Sequence, residues 1–212
     1  GNLIENKDNM VELGSVCKIV GRIGFRGYTR NDLVGSKEDG AISLSPGNIK
    51  NNTFFYDNPT YVSWEKYEES PEIMINENDI IFCKTGSTVG KVAIVKNLPH
   101  KATINPQLVV LKDIKCNPSY LSYLMGSKYF QKEVSRIKGL GSIPTISQKD
   151  LSKLLVSIPP IEKQNYIVNV LDRFDALIND ITVGLPAEIE LRRQQYEYYR
   201  NKLLNFEELS CE

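Results

Sequence analysis

The chain has few of the residues that form metal sites and disulfide frameworks. Among 212 residues there is one histidine, His100, and the four cysteines form no Cys-x-x-Cys pair. Neither a zinc site nor a disulfide scaffold is indicated, so we expect no metal, no cofactor and mostly buried, reduced thiols. No catalytic set of serine, histidine and acid is recognisable around a single histidine.

Long apolar runs are also missing. No segment approaches the roughly 20 apolar residues of a membrane span, and the first residues do not show the charged, apolar and small-residue pattern of a secretory leader. We therefore expect a cytoplasmic protein. With 41% hydrophobic and 25% charged residues, the chain has room for one domain of about 150 residues and an appendage. It begins at Gly1, which is consistent with a processed tag or with a piece of something longer.

Charge is balanced in total but not along the chain. Residues 1–158 hold 20 Lys or Arg against 16 Asp or Glu, whereas residues 159–212 hold 6 against 10. Within the first part, residues 81–138 carry ten bases and two acids. A globe with one basic face is suited to a polyanion, although a solvated surface would give the same pattern.

Residues 1–160 are typical of a sheet-rich α+β globe. Short apolar runs at 16–20, 41–44, 80–83, 92–95 and 108–111 predict strands separated by turns. Residues 118–138 predict a helix, and a short helix is expected after Ser147. The pair Pro159 and Pro160 ends the globe, which places the boundary near residue 160.

A long helical region is predicted over 161–206, followed by a tail at 207–212. Its apolar residues recur at spacings of three, four and seven, which predicts the seam of an antiparallel hairpin or coiled coil. If mostly helical it would be roughly 65 Å long, so we expect a partner helix and a break near Gly184 and Pro186. The alternative is that these helices cap their own domain. The predicted seam is Ile167, Leu171, Phe174, Ile178, Ile181, Tyr196, Tyr199 and Leu203.

A Gly-rich turn at 84–91 does not match a nucleotide-binding P-loop. That loop would need glycine where Thr85 stands and Ser or Thr where Val92 stands, and a strand rather than a helix follows. The segment instead predicts a turn between two strands, with donors suited to phosphate or base edges, or an ordinary hairpin. The donors are Lys84, Thr85, Ser87, Thr88 and Lys91.

Residues 21–30 combine three glycines with three arginines and two aromatics. The glycines disfavour a stable helix, so the arginines are expected on a shaped loop. Arginine there can bind guanine or phosphate. The candidate contacts are Arg22, Arg26, Tyr28 and Arg30, and the alternative is a structural loop with buried aromatics and exposed arginines.

Residues 58–61 (NPTY) are similar to the base-holding motif of adenine methyltransferases. Two further Asn-Pro pairs, at 105 and 117, show how easily the motif arises by chance. No Gly-rich loop for a methyl donor accompanies it. We therefore expect a chain that is not an enzyme.

Four segments in this order resemble one family, the specificity subunits of Type I restriction-modification systems. They are 11–17 (VELGSVC), 78–82 (NDIIF), 141–147 (GSIPTIS) and 158–164 (IPPIEKQ), and the tail at 184–206 is similar as well. The resemblance implies one target recognition domain, at 1–160, and one conserved helical region, at 161–206. It also implies a non-catalytic DNA reader, with Lys138 and Ser142 as further phosphate contacts.

The resemblance further implies double-stranded DNA, methylating subunits and restriction subunits as partners. Adenine would be methylated by the methylating partner, while the helices set the spacing between two half-sites. A usual family member has two recognition domains, whereas this chain has one. We therefore expect a homodimer through antiparallel helices, or a fragment of a two-domain chain.

Two interpretations from other classes stay open. One is a coiled-coil protein adaptor that does not touch DNA, which the absence of salt-dependent DNA binding would indicate. The other is a stand-alone DNA methyltransferase, which binding of S-adenosylmethionine by the purified chain would indicate.

Overall fold

A computed structural model describes residues 9–24, 27–50, 52–139, 142–180 and 186–204, with side chains except those of 177–180 and 186–189. The strands are β1 (Met10–Glu12), β2 (Lys18–Gly21), β3 (Leu33–Val34), β4 (Gly40–Leu44), β5 (Ile49–Lys50), β6 (Thr53–Phe54), β7 (Tyr61–Ser63), β8 (Ile80–Cys83), β9 (Val92–Ile94), β10 (Ala102–Ile104), β11 (Leu108–Lys112) and β12 (Leu155–Ser157). The helices are α1 (Leu13–Val16), α2 (Trp64–Glu68), α3 (Pro118–Met125), α4 (Lys128–Ile137), α5 (Gln148–Ser152), α6 (Ile161–Asp180) and α7 (Pro186–Leu204).

The larger sheet has six strands in the order β2-β11-β8-β9-β6-β5, and its neighbours are antiparallel except β6 and β9. In its centre, Val109 lies opposite both Gly21 and Phe82. Alternate side chains point to opposite faces: Phe82 and Val109 pack with the helices, whereas Ile81 and Val110 pack with the second sheet. Because both faces are buried, the central strands are continuous apolar runs.

The smaller sheet covers one face of the larger one. Its order is β10-β4-β7-β3, with β10 parallel to β4 and the other pairs antiparallel. Leu44 and Ile104, which lie opposite each other, are fully buried between the sheets. Separately, β1 pairs with β12, which attaches the start of the described chain beside the segment that leads into α6.

The predicted α+β class is confirmed, with strands at each of the five predicted runs. The runs 41–44, 80–83, 92–95 and 108–111 correspond to β4, β8, β9 and β11, and 16–20 overlaps β2. The short helix α5 follows Ser147, whose hydroxyl oxygen accepts a hydrogen bond from the Asp150 N–H at 3.0 Å. None of the described helices is long and apolar enough to cross a membrane.

The helix predicted over 118–138 is two helices, α3 and α4. Ser127 interrupts it as the N-cap of α4, and its hydroxyl oxygen accepts a hydrogen bond from the Phe130 N–H at 3.4 Å. Gly126 precedes it, and a Cβ at this position would overlap the Asn52 amide. A side chain at residue 126 would therefore have to displace this amide.

α6 and α7 form a helical hairpin rather than one straight rod. The ring of Phe174 on α6 stacks on that of Tyr199 on α7, with centroids 5.2 Å apart. Val168 and Leu204 lie in the same buried cluster, so α7 returns along α6 into the core of the globe. The expected break near 184 falls on 181–185, outside the described residues, and Pro186 is the first residue of α7.

The partner helix that the seam was expected to need lies within the same chain. Ile167 and Leu171 are 3% and 0% exposed and belong to the same core cluster as Tyr120 of α3. Four further seam residues are half-buried within the chain, and the side chains of Ile178 and Ile181 lie outside the described residues. The half-buried residues are Phe174, Tyr196, Tyr199 and Leu203. These helices therefore cap their own domain.

Tyr123 connects α3 to α6 through two carboxyl groups. Its Oη lies 2.6 Å from Asp172 Oδ1 and 2.7 Å from Asp175 Oδ2. A phenol has one proton to donate, so both contacts are hydrogen bonds only when one carboxyl group is protonated. Burial raises the pKa of Asp175, which favours the protonated form of this carboxyl group. Tyr196 of α7 also bonds Asp175, and all four side chains line a cleft of about 470 Å³.

Asp175→Asn should reveal this shared proton as a pH dependence of stability. The pKa of Asp175 is raised in the folded chain above its ordinary value of 3.8. Its contribution to the free energy of unfolding is therefore fully present below pH 3.8 and is lost as pH rises through the raised value. Urea unfolding at several pH values should show the advantage of wild type over the variant shrinking as pH rises above 3.8. A difference that stays constant over this range would contradict the assignment.

Candidate nucleic-acid interface

Several loops meet at one end of the six-stranded sheet. β8 ends there and the antiparallel β11 begins there, as the pairing of Cys83 with Leu108 requires. The N–H of Lys84 donates to the carbonyl of Gln107 at 2.9 Å, which joins the two loops directly. We call the surface formed by residues 84–91, 105–107, 138–139 and 142–149 the loop end.

The segment before α5 is attached to the 84–91 turn by backbone hydrogen bonds. The N–H of Ile146 donates to the Lys84 carbonyl at 2.9 Å, and the N–H of Gly86 donates to the Pro144 carbonyl at 2.9 Å. The far end of α4 is brought in as well, because the N–H of Gly139 donates to a carbonyl of the same segment. Three stretches that are distant in sequence thus form one surface.

Two glycines shape the 84–91 turn. Gly86 and Gly90 both have φ of +100°, a backbone conformation that residues with a Cβ rarely adopt. Gln131 of α4 holds the second of them, since its Nε2 donates to the Gly90 carbonyl at 2.9 Å. The turn is therefore held against the body of the domain from two sides.

The structure brings most of the predicted turn and phosphate contacts together at the loop end. Ser87, Lys138 and Ser142 are exposed, and Lys84, Thr85 and Thr88 are half-buried. Two of the predicted donors also have internal partners. The Lys91 ammonium donates to the Ile49 carbonyl at 3.2 Å, and Thr88 Oγ1 lies 3.3 Å from Cys83 Sγ.

Arg22 is removed from the candidate interface because it is a structural residue. It is 6% exposed, its Nε donates to the Ile104 carbonyl at 3.3 Å, and its Nη2 donates to Thr103 Oγ1 at 3.1 Å. Burial lowers the pKa of its guanidinium. A guanidinium engaged inside the domain is not available to a base or a phosphate.

The other predicted residues of 21–30 are separated from one another. The Tyr28 ring lies under the Arg22 guanidinium, 5.2 Å from centroid to Cζ, and its hydroxyl oxygen is 2.6 Å from Ser43 Oγ. Tyr28 is therefore half-buried and has an internal partner. Arg30 is exposed in the turn before β3, on the smaller sheet, and Arg26 lies outside the described residues.

Sequence reasoning missed several residues of the loop end. Gln107 is exposed beside the 84–91 turn, and Asn105 Nδ2 donates to its Oε1 at 3.3 Å. Ile143 is 64% exposed in the segment before α5. The Asn-Pro pair at 105 signalled a turn, but only the pairing of β11 with β8 places that turn next to residue 84.

The loop end is mainly basic. Its residues include four lysines, Lys84, Lys91, Lys138 and Lys149, and at its edge the Asp150 carboxylate accepts a hydrogen bond from the Ser147 hydroxyl at 2.6 Å. Hydroxyl, amide and backbone N–H groups lie between them, and such donors suit phosphate oxygens and base edges. Among the residues that the structure describes, no group of three or more His, Cys, Asp or Glu could hold a metal ion.

Comparison with known proteins gives one consistent family. The family model described as Type I restriction modification DNA specificity domain matches residues 6–191. The specificity subunit of the Type I restriction enzymes EcoR124I and EcoR124II from Escherichia coli is 33% identical over 171 residues, which are 80% of this chain and 42% of that relative. The specificity subunit of the Type I restriction enzyme MpnII from Mycoplasma pneumoniae is 34% identical over 125 residues, which are 58% of this chain and 36% of that relative.

A solved structure supports the fold. The crystal structure of the HsdS subunit from Thermoanaerobacter tengcongensis has a TM-score of 0.61 at 18% identity, over 96% of this chain and 47% of that one. The chain spans less than half of the length of each of these three relatives.

Arg22→Met should destabilise the fold rather than alter a surface. The variant keeps an apolar stem of similar length but leaves the Ile104 carbonyl and the Thr103 hydroxyl without the guanidinium. We expect a loss of about 2 kcal/mol in the free energy of unfolding, measured with urea. Arg30→Ala, the exposed control, should change it by less than about 0.5 kcal/mol. Unchanged stability of Arg22→Met would return this residue to the candidate interface.

Proposed function

The chain belongs to the family of Type I restriction modification DNA specificity domains, and from that membership we propose that it reads one half-site of a bipartite DNA sequence. The observation that carries the proposal is the loop end, where four lysines lie among hydroxyl and amide donors and the Asp150 carboxylate is bonded to the Ser147 hydroxyl. Lysines at this surface would contact phosphates and fix register, while the groups between them would read base edges.

We assign no reaction to this chain itself. The proposed partners are double-stranded DNA, methylating subunits and restriction subunits, so a cytoplasmic location is part of the proposal. The methylating partner would flip and methylate adenine, and this chain would supply sequence register. Residues 1–160 would be the recognition domain, 161–206 the conserved helical region and 207–212 a tail.

We further propose that two copies associate through the helical hairpin. The relatives are about twice as long as this chain, and a second copy would supply a second recognition domain. Since the inner faces of α6 and α7 already pack together, we propose the outer face of α7 as the contact surface. Leu191 and Tyr198, two helical turns apart, are 67% and 59% exposed there. A two-fold dimer would read a palindrome with a nonspecific spacer.

Lys84→Ala and Lys138→Ala should each weaken DNA binding through fewer phosphate contacts. In the complex with the methylating subunit of its host, the slope of log K against log salt should fall in magnitude by about 1 for each variant. Lys37→Ala is the matched control, since Lys37 is exposed in the turn before β4, away from the loop end. An unchanged slope for both variants would move DNA binding to another surface.

Co-expression with a methylating subunit from the same host tests the function and the dimer together. We expect adenine methylation of cellular DNA at one bipartite motif that is palindromic about its spacer. Leu191→Glu combined with Tyr198→Glu should halve the mass in solution and abolish that motif, because buried charges would separate the helices.

The two parts of this experiment fail differently. No new methylation with wild type would count against the DNA-reading function. Methylation at a motif that is not palindromic would count against the two-fold dimer alone. An unchanged mass of the double variant would move the contact away from the outer face of α7.

A further inference from the structure

Gln107 is held in place although it is exposed. Its carbonyl accepts a hydrogen bond from the Lys84 N–H at 2.9 Å, and its own N–H donates to Asn105 Oδ1 at 3.0 Å. At the end of its side chain, Gln107 Oε1 accepts a hydrogen bond from Asn105 Nδ2 at 3.3 Å. A long polar side chain on a surface ordinarily samples many rotamers. These hydrogen bonds restrain both the backbone and the terminal amide of Gln107.

The 84–91 turn makes room for this amide. A Cβ added at Gly86 would lie 3.3 Å from Gln107 Nε2, and Gly86 has φ of +100°. The amide therefore lies close over the glycine, beside Lys84. Asn105 is itself anchored, because its N–H donates to the Leu44 carbonyl of the second sheet at 2.9 Å.

The hydrogen bonds of Gln107 leave one acceptor and one donor on its amide, and an adenine edge requires that pair. An amide oxygen has two lone pairs and an amide nitrogen has two protons. Asn105 occupies one lone pair of Oε1, so the other can accept from the adenine N6 amino group while Nε2 donates to N7. The neighbouring Lys84 is placed to contact phosphate, which would bring a base edge toward the amide.

We propose that Gln107 is a base-reading residue that selects adenine at one position of the target, and that Asn105 is its positioning residue. The inference rests on the proposed function, because it assigns one base contact within the same interface. The choice of one base is thereby assigned to the β10–β11 loop. None of the DNA contacts predicted from the sequence lies in that loop.

Selection of bound DNA from a randomised library by the complex with the methylating subunit, at one salt concentration, tests the assignment. Wild type should require adenine at one position of each half-site. Gln107→Ala should lower the preference for adenine there by roughly 5- to 150-fold and leave binding to unrelated DNA within about twofold. Gln107→Glu should favour cytosine at that position, since a carboxylate accepts from the cytosine amino group.

Asn76→Ala is the matched control. Asn76 is an exposed amide just before β8, at the opposite end of the sheet, and its loss should leave the selected sequence unchanged. Asn105→Ala should relax the same position as Gln107→Ala but to a smaller extent, because the reading amide remains.

The outcomes separate this inference from the proposed function. If wild type selects a sequence and Gln107→Ala selects it equally strictly, the assignment of Gln107 is overturned and the function stands. Equal loss on selected and unrelated DNA would also overturn it, because that result makes Gln107 a phosphate contact. If wild type selects no sequence at all, the proposed function falls and the assignment with it.

Discussion

The antiparallel register of β11 between β2 and β8 is the constraint on which the candidate interface depends. It sets Leu108 opposite Cys83, so the loop before β11 and the turn after β8 must lie side by side. The backbone bond from Lys84 to Gln107 and those from the 84–91 turn to residues 144 and 146 then extend this surface. A shift by one residue would turn Val109 and Val110 to the wrong faces of a sheet that is buried on both sides, so the register is strongly specified.

Internal requirements decide which polar groups remain available at this surface. Arg22 follows β2 and has the right chemistry for DNA, but the smaller sheet presents the Ile104 carbonyl and the Thr103 hydroxyl to it. Removing an ionised group from water is costly unless it is hydrogen-bonded, so these partners keep Arg22 inside. Lys84 is half-buried and Lys138 is exposed, so both ammonium groups remain available at the loop end.

The helical region shows how one apolar stripe can be satisfied in two ways. Its spacing predicted apolar contacts at Ile167, Leu171 and Phe174, and all three have them. The spacing did not reveal the partner, because the same periodicity describes contact with another copy, with a returning helix or with the chain's own globe. Folding back buries the stripe within one chain and leaves Leu191 and Tyr198 outside.

Local patterns in the sequence by themselves determined the α+β class, the main buried strands, the turn at 84–91, the start of α5 and the family. These features depend on neighbours in the chain: apolar periodicity, glycine in turns and a serine cap. Tertiary structure alone decided that Arg22 is buried, that residues 105–107 join the 84–91 turn, and that α7 returns along α6. Each of these depends on strand register or on packing between residues far apart in the chain, and local spacing carries no information about such distances.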